Sequence, residues 1–169
     1  MSGHQAPMAG EDHTTSFRNV LGTFATGIAI VTATHPTAGP VGLTANSFSS
    51  VSLTPPLILF CAAHTSSTWP SIRAAGRFCV NVLAEHQEEL SRQFTARGED
   101  RFRGVDWRPA PSGAPILPGT AAWLDCRIET LHEAGDHTIV VGRVDQLALE
   151  DAEAAPLLYY RSRYARLMA

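Results

Sequence analysis

The sequence predicts a mainly β fold, an antiparallel barrel with two or three short helices packed on its outside. Three observations carry that prediction. At least six short apolar or β-branched runs are bounded by Pro, Gly and polar turn residues. Two of them, near the C-terminus, are long, alternate in polarity and flank a short turn. Helical periodicity, by contrast, is confined to three short windows, without the regular strand–helix alternation of a doubly wound sheet.

The elements follow in order. Phe17–Ala25 places Phe17, Val20, Leu21 and Phe24 at helical spacing, with Thr15 or Ser16 to cap it and Gly27 to end it. The β-branched stretch from Ile28 to Ala33 reads as a strand closed by the turn HPTAGP. Val41–Ala45, Ser49–Leu53 and Leu57–Ala63 are further strands, punctuated by Pro40 and Pro55-Pro56. Ser66-Ser67-Thr68-Trp69-Pro70 opens a short helix, with hydroxyls to cap it and proline in its first turn, running to Gly76. Phe78–Leu83 is another strand and Glu85–Ala96 an amphipathic helix on His86, Leu90 and Phe94. Residues 97–119, rich in Gly, Pro and Arg, give no regular element; so long an irregular stretch is often functional. Ala121–Glu133 and Thr138–Leu149 make the two long strands, and Pro156–Tyr160 a last one before the basic tail RSRYARLMA.

A length of 169 residues fits one domain, and no run approaches the roughly 20 apolar residues of a membrane-crossing helix. Residues 1–15 read as a disordered tail and 16–169 as the domain. The tail is too polar for a signal peptide, so the expected compartment is the cytoplasm. Net charge is −3 without long charged runs, which argues against nucleic-acid and membrane partners. All 13 basic residues are Arg. Schiff-base chemistry, a Walker-type lysine and Ser–Lys catalysis are therefore excluded, and any anion must be held by Arg, hydroxyls or backbone N–H groups. Cys61, Cys79 and Cys126 are odd in number and far apart, as free thiols of a reducing compartment are.

Three segments could carry chemistry. The run from Gly42 to Pro56 packs hydroxyls and the Asn46 amide between Leu43, Phe48, Val51 and Leu53, as either a lined pocket or the solvated face of a strand pair. Thr65–Thr68, at a helix start, could cap the helix or bind an anion, or do both. In Gly135-Asp136-His137 a histidine stands at the mouth of a strand. His132 and His137 lack a third ligand at metal spacing, and no metal is expected. GxSxG, HExxH and GxGxxG are absent, which removes support for hydrolase and Rossmann readings.

Taken together, FRNVLGTFATGIAIVT, GLTANSFSSVSLTPPLILFC, TSSTWPSIRAAGRFCVNVL, DRF, AGDHTIVVGRV and PLLYYRSRY resemble the short-chain flavin reductases. The resemblance runs from Phe17 to Tyr164. It implies a six-stranded split β-barrel of Greek-key type and an NAD(P)H:flavin oxidoreductase. Such an enzyme supplies reduced FMN or FAD by diffusion to a flavin-dependent monooxygenase, and family members usually pair as homodimers. By the same resemblance, Thr44, Ala45, Asn46 and Ser47 line the flavin ring. Ser50, Val51 and Ser52 follow toward the ribityl chain and phosphate. Cys61 and Ala62 close the ring's polar edge, Ser67 and Thr68 meet the phosphate, and Arg101 with Phe102 covers the cofactor. His137, positioned by Gly135 and Asp136, meets NADH or NADPH, with Tyr164 as a second wall. The phosphate-side lysine of several family members has no counterpart here. A non-catalytic flavin-binding or redox-sensing protein on the same barrel is the alternative; it would need no nucleotide site. A pyridoxamine-phosphate-oxidase-like enzyme would ordinarily use basic phosphate ligands including Lys.

Overall fold

The computed structural model describes residues 13–98 and 100–167. Helix α1 (His13–Leu21) precedes strands β1 (Thr26–Gly27), β2 (Ala29–His35), β3 (Gly39–Ala45), β4 (Ser49–Leu53) and β5 (Pro56–Ala63). Then come α2 (Trp69–Ala75), β6 (Arg77–Val82), α3 (Glu88–Thr95), and the short strands β7 (Arg108–Pro109) and β8 (Pro115–Ile116). The long hairpin of β9 (Ala122–Ala134) and β10 (His137–Leu149) follows, and β11 (Leu158–Tyr160) and β12 (Arg163–Ala165) end the fold.

Seven strands form one antiparallel sheet in the order β3-β2-β6-β9-β10-β5-β4. Its edge strands, β3 and β4, are consecutive in the chain and separated by residues 46–48 alone. A link that short reaches about 14 Å, so the sheet must curl until its two edges face each other. No ladder joins them: β3 pairs with β2, and β4 with β5. The fold is split along this seam, as the resemblance implies, because Asn46-Ser47-Phe48 crosses it without extended pairing; the sheet holds seven strands where six were expected.

Strand β2 is buried on both faces, which explains its unbroken apolar run. Ala29, Val31 and Ala33 join the core of Phe60, Phe78, Val80 and Val140, where the Phe60 and Phe78 rings meet edge-on at 5.3 Å. Ile30 faces the second cluster, with Leu83, Phe94, Leu117 and Leu157. Phe94 of α3 lies directly on β3. A Cβ at Gly42 would stand 2.6 Å from its ring, so this close approach requires glycine.

Several boundaries differ from the sequence expectations. Helix α1 spans His13–Leu21, so residues 13–15 of the expected tail are helical; residues 1–12 lie outside the described ones. It stops before Gly22, where Thr23 Oγ1 donates to the Val20 carbonyl at 2.7 Å. α3 begins at Glu88 and not Glu85, because Ala84 N donates to Gln87 Oε1 and holds a turn ahead of the helix. Part of the expected basic tail is strand β12, which pairs with β11 around Arg161 and Ser162.

The stretch 97–119, expected to hold no regular element, carries the short antiparallel pair β7–β8, and its β8 end is fixed to the sheet by buried polar contacts. Asn81 Nδ2 donates to the Ile30 and Pro115 carbonyls, and Asn81 Oδ1 accepts Leu117 N at 2.8 Å. Thr32 Oγ1 also donates to the Pro115 carbonyl.

Candidate active site

The groove of this molecule runs along the split between β3 and β4. Its centre, a cavity of about 290 Å³, is lined by Thr44, Ala45, Asn46, Ser47, Cys61, Ala62, Arg101 and His137, with Ser66, Phe94 and Thr95. Toward α2 it adjoins a cavity of about 280 Å³ bordered by Gly42, Ser67, Thr68, Arg101 and Phe102. Toward the C-terminus it adjoins one of about 240 Å³, where Tyr159 and Tyr164 face Thr44, Asn46 and Thr95. Segments from five separate parts of the sequence thus converge on one seam.

Each wall has a local cause. The link 46–48 is pinned where Ser47 Oγ accepts Cys61 N at 2.9 Å, tying the crossing to β5. Thr44 Oγ1 donates to the Ser91 carbonyl at 2.9 Å, which fixes the end of β3 against α3. The Asn46 side chain is exposed and makes no hydrogen bond among the described residues.

The cation of the groove is Arg101. Its Nη1 donates to the Gly42 carbonyl and to Thr68 Oγ1, both at 2.8 Å, and its Nε donates to the Ala96 carbonyl. All three acceptors are neutral, and no carboxylate pairs with it among the described residues. Partial burial pulls its pKa below the usual arginine value. Phe102 packs edge-on between Phe94 at 5.0 Å and Trp107 at 6.5 Å, anchoring the loop that carries Arg101. The side-chain oxygen at the start of α2 comes from Ser66, whose Oγ accepts Thr68 N and Trp69 N. Thr68 is the N-cap residue, but its hydroxyl makes no cap bond and accepts from Arg101 instead.

At the other wall, β9 and β10 join through a tight turn in which Gly135 has φ +63°, as a primed hairpin turn with glycine first requires. The turn sets His137 beside the groove, its Nδ1 donating to Asp136 Oδ1 at 2.7 Å. That hydrogen bond holds the Asp136 carboxyl below its usual pKa. Asp136 is also tied through its carbonyl to His64 N, and His64 pairs with Glu133 at 2.9 Å.

The chain matches known proteins in sequence and in fold. The flavin reductase like domain model matches residues 21–168. This chain belongs to the flavin reductase family. The reductase subunit HsaB of a flavin-dependent monooxygenase from Mycobacterium tuberculosis is 46% identical over 150 residues, 88% of this chain and 80% of that one. Among solved structures, nitrilotriacetate monooxygenase component B from Mycobacterium thermoresistibile superposes with a TM-score of 0.88 at 44% identity, covering 92% of this chain and 87% of that one. The NADH:FAD oxidoreductase SgcE6 from Streptomyces globisporus, in complex with NAD and FAD fragments, gives 0.88 at 37% identity, over 96% and 98% of the two chains.

In this flavin reductase domain the fold gathers Thr44–Ser47, Cys61, Ala62, Arg101 and His137 around one cavity, with Ser67, Thr68 and Phe102 on one flank and Tyr164 on the other. Gly135 and Asp136 form the turn behind His137. Ser50, Val51 and Ser52 border none of these cavities; Ser50 and Val51 are exposed on β4, where the register shifts. The hydroxyl-rich run is therefore pocket wall up to Ser47 and mostly solvated strand beyond it. Sequence reasoning placed Ser66 in the Thr65–Thr68 group but missed Phe94, Thr95 and Tyr159, whose approach to the groove depends wholly on tertiary packing.

Proposed function

We propose that the protein is the NAD(P)H-dependent flavin reductase of a two-component system, supplying reduced FMN or FAD to a flavin-dependent monooxygenase. The observation that carries this reading is the groove itself. It combines apolar walls, neutral hydrogen-bonding groups and one guanidinium that, among the described residues, has no carboxylate partner. A flavin presents the matching set: a flat ring, a polar edge and an anionic phosphate.

The groove residues fit such a ligand. Thr44–Ser47, Cys61 and Ala62 would hold the ring, and Arg101, Ser67 and Thr68 the phosphate end, without any lysine. When bound, reduced nicotinamide supplies a hydride and the flavin ring accepts it. The chain's own residues contribute order. The pinned crossing at Ser47 orients one face of the site, and His137, aimed by Asp136, meets the nucleotide with Tyr164 opposite. Holding two rings in reacting alignment is the main device, worth about 7–11 kcal/mol in well-oriented systems. No side-chain acid or base is required.

Homodimer formation is part of this proposal. α1 buries none of its residues, and Phe17, Leu21 and Phe24 border an apolar cavity of about 440 Å³ that opens beside Asn46 and Ser47. A second copy covering that face would remove the exposed aromatics from water. A cytoplasmic location agrees with the three free cysteines.

The deciding assay is steady-state oxidation of NADH and NADPH with FMN, FAD or riboflavin in excess. Turnover that saturates with added flavin supports a diffusible reduced product. Flavin binding without oxidation of either nucleotide would leave a binding or sensing protein instead.

A further inference from the structure

Ser91 is fully buried in the middle of α3 and lies outside every cavity described above. A helical serine ordinarily turns its hydroxyl to solvent or back onto its own helix. Here Ser91 Oγ meets Tyr164 Oη at 2.9 Å. Its carbonyl, separately, accepts Thr44 Oγ1 and Thr95 Oγ1, each at 2.9 Å. One residue of α3 therefore holds both a wall built from β3 and a wall built from β12.

The Tyr164 ring has few other fixings. Arg92, the next residue of α3, places its guanidinium 4.6 Å from the ring centroid and is itself held by Glu88 at 2.7 Å. Tyr159 meets it edge-on at 5.6 Å. The hairpin that presents it turns through Arg161 and Ser162, at φ +49° and +60°, a conformation that residues with a Cβ adopt reluctantly. A hairpin with such a turn needs contacts at its strands to hold one position, and the Ser91 hydroxyl is the hydrogen-bond partner of the Tyr164 phenol.

We infer that Ser91 is a positioning residue for the nucleotide side of the groove, acting through Tyr164 and not through the flavin wall. The inference rests on the reading of Tyr164 as a wall for the reduced nicotinamide nucleotide. It deepens that reading by separating the two bonds of Ser91. Removing the hydroxyl releases Tyr164 alone, because the carbonyl that holds Thr44 stays.

The test uses the full chain with NADH and FMN, comparing Ser91→Ala, Tyr164→Phe, their double variant and Tyr164→Ala. Losing one neutral hydrogen bond predicts about a three- to tenfold rise in the KM for NADH in Ser91→Ala. Its kcat at saturation and its FMN Kd, read by flavin fluorescence, should stay at the wild-type values. Tyr164→Phe should raise the same KM, and the double variant should be no worse than either single change, since both remove one bond. Two outcomes overturn the inference. In the first, Tyr164→Ala raises the KM for NADH while Ser91→Ala does not, so Tyr164 is a wall that Ser91 does not position. In the second, Ser91→Ala weakens FMN and NADH together, in addition to the effect of Tyr164→Phe, as a purely structural serine would. If even Tyr164→Ala leaves the KM for NADH unchanged in an active enzyme, the wall reading itself fails and takes the inference with it.

Discussion

Arg101 and Thr68 are 33 residues apart in sequence, yet Nη1 of one donates to Oγ1 of the other at 2.8 Å. The bond closes the α2 end of the groove, and among the described residues the guanidinium's partners are all neutral. Arg101→Gln should therefore act on flavins according to their phosphate. Hydrogen bonds to a charged group are worth about 1.5–3 kcal/mol, so the Kd for FMN should rise about 10- to 100-fold. Riboflavin, which has no phosphate, should bind almost as before. Fluorescence titration with both flavins decides it; equal losses would mean that Arg101 shapes the loop and does not read the phosphate.

Much of this arrangement was legible in the sequence, and the rest was not for identifiable reasons. The split-barrel strands stand out because β-branched runs and turn residues mark them locally. So does the turn at Gly135, since glycine suits its positive φ. Polar groups beside core anchors mark the run from Gly42 to Pro56 as pocket or solvated strand alike, and only the family resemblance singles out Thr44–Ser47 within it. The same signal overreached at Ser50 and Val51, where β4 is an edge strand exposed to water. The seam was implied by the resemblance and not by local pattern, because it arises only when residues 46–48 bring both edges of a curled sheet together. Likewise nothing around Ser91 or Thr95 marks them out from any amphipathic helix.

Asn81 tests whether the irregular stretch is held by the barrel. It is fully buried and connects Ile30, Pro115 and Leu117 through both ends of its amide. Asn81→Ala leaves Leu117 N–H without its acceptor. A buried unsatisfied group costs about 1–3 kcal/mol, so urea unfolding should show a loss of at least that size. A change below about 0.5 kcal/mol would mean that the stretch holds its place without this bond.

The thiols give a probe of the groove that needs no activity. Burial pushes the Cys79 thiol up to about 12 and raises Cys126 as well, so neither forms thiolate near neutral pH. Cys61 is half-buried and borders the central cavity. Ellman's reagent should titrate one thiol in the native protein and all three in denaturant. Saturating FMN should slow the native reaction. A labelling rate indifferent to FMN would remove Cys61 from the flavin's surroundings.

His137→Ala separates reductase from binder within one side chain. The imidazole sits at a partly exposed rim, with its Nδ1 bonded to an exposed Asp136, so truncation should cost little stability, within about 0.5 kcal/mol. FMN affinity should be almost unchanged, since the ring wall is assigned to Thr44–Ser47 and Cys61. The KM for NADH should rise, because the residue that meets the nucleotide is gone while the flavin site persists. A fall in kcat at saturating NADH would instead give His137 a part in the alignment of the reacting rings. Asp136→Asn adds the second half of the argument. It keeps a side chain of the same size but removes the carboxylate that accepts the Nδ1 proton, so it should raise the same KM by a smaller factor. Wild-type kinetics in both variants would place the nucleotide elsewhere along the seam, and joint loss of FMN binding and NADH oxidation would make His137 part of the flavin wall.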